Sequence, residues 1–467
     1  MREAIADELP RAVGRAGVDD DHLVPGPELA QAMLEMAARI VRHDDERNIR
    51  RHAASMTSAS PGSARGRRRI LVCTPFPPRL DARHGGKATA QLLLRLAERN
   101  EIALLALQST HGDRVDPAIA ERCALVEEVP SALRSRLSRR LAWSAGLLRG
   151  LPPWATDCRS GQYEQALERL LDEWRPDLVE IHLQAMAQYV QAVARRGIPC
   201  VLVDYDPAST WADELRGAVS GPRRLVRRLE AATWRRYERA TRPRFDAIVV
   251  FAERDLEAVR PTAGAAIVTR VPLAVDVPER PLDPVGSEPP TIVFVGSFGH
   301  PPNVDAALWL AGTIFPRVAA RVPKARLELV GHAPGGEVRA LAQGAITVHA
   351  SVPDVTPYLD RAAVVVAPIR IGGSMRMKVL ESLAAGKALV ASPRAAEGVE
   401  ELAGEQLLVA VDEDEMVDAL AELLLDPARR RDLAESARRW AESNLGWERG
   451  VAAFEELYDT LGAIRVR

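Results

Sequence analysis

Lysine is almost missing from this chain. Among 467 residues there are 62 lysines and arginines together, and only Lys87, Lys324, Lys378 and Lys387 are lysines. Arginine takes nearly every other positive charge, so a retained lysine marks a place where a compact point charge suits and a guanidinium fork does not. Cysteine is nearly as sparse. Cys73, Cys123, Cys158 and Cys200 lie far apart with no Cys-x-x-Cys pair. That argues against a zinc site and a disulfide framework and suits a reducing cytoplasm. No uncharged apolar run approaches the roughly 20 residues a membrane span needs. The opening "MREAIADELPRAVGRAGVDDD" carries acids throughout, unlike a secretory leader. A net charge of −2 gives no general reason to expect nucleic acid.

What is present is the composition of a globular protein, 47% apolar and 27% charged, with enough length for two or three domains. Residues 1–67 read as an extension: one amphipathic helix over Pro27–Val41, then the Ser/Ala/Gly linker "AASMTSASPGSARGRRR". Too few apolar residues are available there to build a core. From "RILVCTPFPP" the grammar changes. A buried strand, a proline-rich loop, the helix "GGKATAQLLLRLAERN" and the strand "EIALLAL" make a parallel α/β unit. Further strands follow at "PDLVEIH", "IPCVLVDYD", "FDAIVVF" and "AAIVTRVP", with a long basic helix from about Pro222.

After the linker "LDPVGSEPP" the register restarts with "TIVFVGS", a helix from Asn303 to Ala320, "ARLELVG", "AITVHAS", "AAVVVAP", "ALVAS" and "QLLVAV". The expected fold is therefore α/β: two doubly wound, Rossmann-like domains facing across a cleft. The first spans 68–281 and the second 282–445; the last helix, 446–467, could return to the first domain. Such sheets bind ligands beyond the carboxyl ends of their strands.

The stretch "PIRIGGSMRMKVLESLAAGKALVAS" carries the clearest chemistry. "IRIGGSM" is the loop at the carboxyl end of a buried strand. Gly372 and Gly373 let backbone amides approach a ligand, Ser374 is a good helix N-cap, and a helix N-terminus favours anions. Arg376 and Lys378 add cations. Glu381, one turn on, suits the ribose hydroxyls of a nucleotide. This describes a nucleotide diphosphate site, set against the plainer reading of a capped surface helix.

The segments "FVGSFGHPPNVDAALWL", "VPKARLELVGHAP", "VPDVTPYLDRAAVVVAPIRIGGSMRMKVLESLAAGKALVAS" and "AAEGVE" resemble, in order and spacing, the C-terminal domain of family 4 glycosyltransferases, in a branch with a Gly-Gly-x-x-Arg-x-Lys-x-x-Glu segment. "TPFPP…GGKATAQLLLRLA" is similar, more loosely, to the family's first strand and acceptor-side glycine loop. The resemblance covers about residues 68–460. It implies a GT-B enzyme that moves a sugar from a nucleotide-diphosphate donor to an acceptor hydroxyl with retention of configuration, without a metal or other cofactor, a UDP-sugar being favoured over a GDP-sugar.

By that resemblance Glu381 holds the ribose. Gly296, Ser297, Asn303, Gly331, His332, Val352, Gly372, Gly373 and Ser374 line the donor. Gly85, Gly86 and Lys87 form the loop closing over phosphates and acceptor. Two departures matter. Gly373 stands where the wider family has a glutamate facing the sugar, and Ser297 stands where it has an arginine on the diphosphate. Arg376 and Lys378 are then the expected replacements and the catalytic pair, with His182, at a strand's carboxyl end, as a third candidate.

The expected setting is the cytoplasm and the synthesis of cell-surface polysaccharide, glycolipid or glycoconjugate. Residues 131–154, with five arginines and no acid, offer a peripheral contact with the inner face of a membrane, or a helix packed by its leucines. A catalytically impaired nucleotide-sugar-binding protein and a nucleotide-sugar epimerase of the same fold are the alternatives.

Overall fold

The computed structural model describes residues 67–466, apart from 81–85, 109–112, 132–135, 218–221, 353 and 373–376. The expected helix Pro27–Val41, Gly85, Gly373, Ser374 and Arg376 lie outside the described residues.

The first sheet has seven parallel strands: β1 (Arg69–Thr74), β2 (Glu101–Leu107), β3 (Leu125–Val129), β4 (Leu178–His182), β5 (Cys200–Val203), β6 (Ala247–Val250) and β7 (Ile267–Arg270), in the order β3-β2-β1-β4-β5-β6-β7. Residues of β1, β2, β4, β5 and β6 are almost all buried, as expected of parallel strands covered on both faces by helices. Strand β3 is not among the expected strands. It is an edge strand, "LVEEV", whose Glu127 and Glu128 pair with Arg169 and Arg114. Its two acids hide it from a search for apolar runs.

The second sheet comprises β8 (Thr291–Ser297), β9 (Arg326–His332), β10 (Ile346–Ala350), β11 (Val364–Ala367), β12 (Leu389–Ala391) and β13 (Leu408–Val409), ordered β10-β9-β8-β11-β12-β13, also all parallel. In both sheets the order reverses beside the first strand, which opens a crevice at the carboxyl edge. The helix expected over Asn303–Ala320 begins at Pro301, and a π-turn at Leu310–Ile314 separates Pro301–Trp309 from Phe315–Arg321.

The last helix, Trp447–Val466, packs on the first sheet. Its Val451, Phe454, Leu457, Tyr458 and Leu461 are buried in the same core as Ile70, Val72 and Leu93. Arg68 ties its outer face down through Glu455 at 3.1 Å and Asp459 at 2.7 Å. The chain therefore crosses between the two units twice, once through residues 271–290 and once before Trp447. No helix among the described residues is long and apolar enough to cross a membrane.

Candidate active site in the cleft

The second sheet presents its carboxyl edge through two close-packed turns. Strand β8 ends at Gly296–Ser297 and β9 at Gly331–His332, in register with one another. Gly331 leaves no room for a side chain, and Gly296 leaves little. A Cβ on Gly331 would lie 1.7 Å from the Gly296 carbonyl oxygen, and one on Gly296 would lie 3.1 Å from Asn303 Cγ. The Asn303 side chain folds over this corner and donates through Nδ2 to the Ser297 carbonyl at 2.9 Å. Its Oδ1 accepts from Lys378 Nζ at 2.6 Å.

Lys378 stands in the first turn of the helix Met377–Ala384, which follows β11 and the glycine loop. Its ammonium also lies 5.0 Å from the Phe294 ring centroid, a cation–π distance. The ring and the amide together fix where this charge sits. Gly372, before the helix, has φ +89°, and a Cβ there would lie 2.6 Å from Pro302 Cγ. Its carbonyl accepts from Arg394 Nε at 3.0 Å. Val352 is buried at the edge of the same sheet, and His332 is exposed with Nδ1 3.4 Å from Ser351 Oγ.

Across the cleft stands the helix Gly86–Arg99 of the first unit, with Gly86 buried at its start. Lys87 Nζ donates to Glu381 Oε1 at 3.0 Å, so two residues expected on facing domains, one over the phosphates and one at the ribose, meet directly. A second bridge runs beside it. Arg254 of the first unit lies 3.0 Å from Glu397, which also accepts from Arg394 at 2.6 Å. Beside the Arg254–Glu397 bridge and the chain crossings lies a pocket of about 240 Å³, lined in part by Phe251, Arg254, Leu380, Glu397, Trp440 and Arg449. Arg254 and Glu397 were not among the expected site residues. "AAEGVE" carried a family signal without a role, and nothing local singles Arg254 out of so many arginines.

His182 is a correction. Its side chain has no exposed surface, and both ring nitrogens are engaged: Nδ1 is 3.1 Å from Tyr205 Oη and Nε2 is 3.1 Å from Glu180 Oε2. Tyr458 of the last helix donates to the other Glu180 oxygen, and Thr89 Oγ1 donates to Tyr205 at 3.0 Å. His182 thus bridges the Glu180 carboxyl group at Nε2 and the Tyr205 hydroxyl at Nδ1. Burial pushes the Tyr205 phenol well up, so it stays a donor. A ring closed in this way presents no atom to a substrate. It joins the last helix to β4 and to the start of the Lys87 helix.

Residues 289–426 match the family described as Glycosyl transferases group 1. The chain carries a glycosyltransferase domain. The whole architecture is that of GT-B structures. Sucrose-phosphate synthase from Thermosynechococcus elongatus is 15% identical and superposes with a TM-score of 0.64, over 85% of this chain and all of that one. The α,α-trehalose 6-phosphate synthase from Burkholderia multivorans is 13% identical with a TM-score of 0.56, over 85% of this chain and 99% of its own. HepE from Anabaena, solved with UDP and glucose, is 13% identical with a TM-score of 0.52, over 84% and 99%. No curated protein matches the chain. Domain and fold together make it a glycosyltransferase of GT-B architecture.

Proposed function

We propose that this glycosyltransferase moves a sugar from a nucleotide-diphosphate donor to an acceptor hydroxyl with retention of configuration, as the branch of family 4 it resembles would. The observation that carries the reading is the fixed ammonium of Lys378, 2.6 Å from Asn303 Oδ1 at the carboxyl edge of the second sheet. Loss of the sugar leaves negative charge growing on the diphosphate, and a preorganised cation placed there stabilises it in the transition state. Arg376 is proposed as its companion, with the amides of Gly372, Gly373 and Ser374 and the helix end beside it. Glu381 takes the ribose, and Gly296, Ser297, Gly331, His332 and Val352 border the nucleotide.

In this reading cations take the place of a metal, the sequence departs from the family at Ser297, and Lys378 makes good the loss. Retention without a protein nucleophile is proposed to run on one face of the sugar, with the leaving phosphate accepting the acceptor's proton. Closure of the cleft excludes water that would otherwise hydrolyse the donor. A uridine donor is favoured over guanosine; HepE, of the same fold, was solved with UDP and glucose.

The acceptor is proposed to be a saccharide or lipid-linked group of cell-surface synthesis on the cytoplasmic side. The helix Arg136–Leu148 supports this by exposing Leu137 and Leu141 beside Arg140. Co-sedimentation with anionic vesicles, lost in Leu137→Glu/Leu141→Glu, checks the membrane contact; equal sedimentation of both proteins refutes it.

The test of the whole reading is thermal stability against nucleotides and nucleotide sugars, with and without EDTA, because a ligand of the native state must raise the melting temperature. A shift with one nucleoside diphosphate, indifferent to EDTA and absent from Lys378→Ala, is the expected result. A protein that responds to none of them has no donor site of this kind.

A further inference from the structure

We infer that the Lys87–Glu381 ion pair is a gate by which the enzyme selects nucleoside diphosphates over nucleosides. The inference rests on the donor-site reading above. The observations are geometric. Lys87 lies in the first turn of a helix of the first unit, Glu381 on a helix of the second, and their charged atoms meet at 3.0 Å across the cleft. Lys87 is one of four lysines in a chain that otherwise uses arginine. Glu381 is the carboxylate that the ribose hydroxyls must reach.

Lys87 holds Oε1 of Glu381, so a ribose whose two hydroxyls take both carboxylate oxygens competes with it. Entry of the ribose therefore displaces the ammonium, and what happens next depends on the ligand. A nucleoside gives the displaced Lys87 nothing in return. A nucleoside diphosphate carries an anion, and a lysine on a flexible four-carbon stem can swing to it. The pair thus opposes every nucleoside-like ligand and is compensated only by one that carries phosphate. The two side chains are about 40% exposed, which makes the pair weak enough to exchange under solvent screening. The second bridge, Arg254–Glu397, does not involve Glu381 and holds the cleft edges together while the first pair exchanges.

The experiment compares wild type with Lys87→Met and Lys87→Arg. Ligand-observed NMR or calorimetric titration would be run with uridine, guanosine and adenosine and with their 5′-diphosphates. Circular dichroism would confirm that each variant is folded. In Lys87→Met the gate predicts opposite signs. The nucleoside binds about two- to five-fold more tightly, the range expected for release of an exposed ion pair. The diphosphate of the same base binds more weakly. Lys87→Arg, which keeps the charge, moves both values back toward wild type. If Lys87→Met weakens both ligands alike, or changes neither, the gate is wrong while the donor site stands. If no diphosphate binds wild type, the donor reading fails and takes the gate with it.

Discussion

Lys378 Nζ lies 2.6 Å from Asn303 Oδ1, and the same asparagine donates to the Ser297 carbonyl at 2.9 Å. One amide therefore ties the cation of the glycine-loop helix to the end of β8. Asn303 thus links the Ser297 turn to Lys378. Lys378→Ala should lower kcat by roughly 100- to 1,000-fold, the loss typical for a missing transition-state charge partner. Its melting temperature should fall by a few degrees at most. Steady-state kinetics with the donor found by the thermal screen checks this, and a variant keeping a tenth of wild-type kcat would remove Lys378 from the chemistry.

The buried chain through Glu180 and His182 should behave as structure. His182→Ala takes one of the two side-chain partners from the fully buried Glu180 carboxyl group, a change of the kind that costs about 1–3 kcal/mol. Denaturant unfolding should show that loss, while the folded fraction, assayed well below its midpoint, keeps kcat within several-fold. A hundredfold fall in kcat with unchanged stability would restore His182 as a catalytic residue.

Gly372 has a backbone that side chains rarely adopt and no room for a Cβ beside Pro302. Gly372→Ala should cost about 1–3 kcal/mol through strain. Its carbonyl is held by Arg394 at 3.0 Å, and Gly372 stands six positions before Lys378 in the chain. Donor affinity should therefore fall more than in a core variant of equal stability loss, such as one chosen from the first unit. Equal effects on donor binding in the two would show that the turn does not shape the site.

Lys387 is the buried lysine, and its role is to fasten the linker. Its ammonium donates to the Asp283 carbonyl and to the Asp360 carbonyl, the latter at 3.0 Å. Burial pushes it down to about 8 from 10.5. A base depressed in the folded state binds fewer protons there than in the unfolded chain between pH 8 and 10.5, so its contribution to stability rises across that window and is lost as pH falls through about 8. Wild type should gain on Lys387→Met from pH 8 to 10, read by chemical denaturation at each pH. A constant difference would mean that the ammonium keeps its ordinary affinity for protons when folded.

Much of this protein was legible in its residues. Both sheets could be read because parallel strands buried on two faces must be nearly continuous apolar runs, as in "RILVCT" and "VVVA", and helices alternate with them. The glycine loop, Lys378 and Glu381 stood out because they lie within ten residues of each other on one strand–loop–helix unit. Strand β3 did not, because an edge strand can afford two glutamates. Only the tertiary structure decided the rest. His182 ends a strand just as an active-site residue would, but whether it faces the cleft depends on Tyr205 and on Tyr458, which lies 276 positions further along the chain from it. Lys87 and Glu381 are 294 residues apart, and Arg254 and Glu397 are joined only where two separate sheets face one another. Local pattern reports what a segment buries, because burial repeats along the segment. Which charges meet across a cleft is set by how whole units pack, and no periodicity within either segment records it.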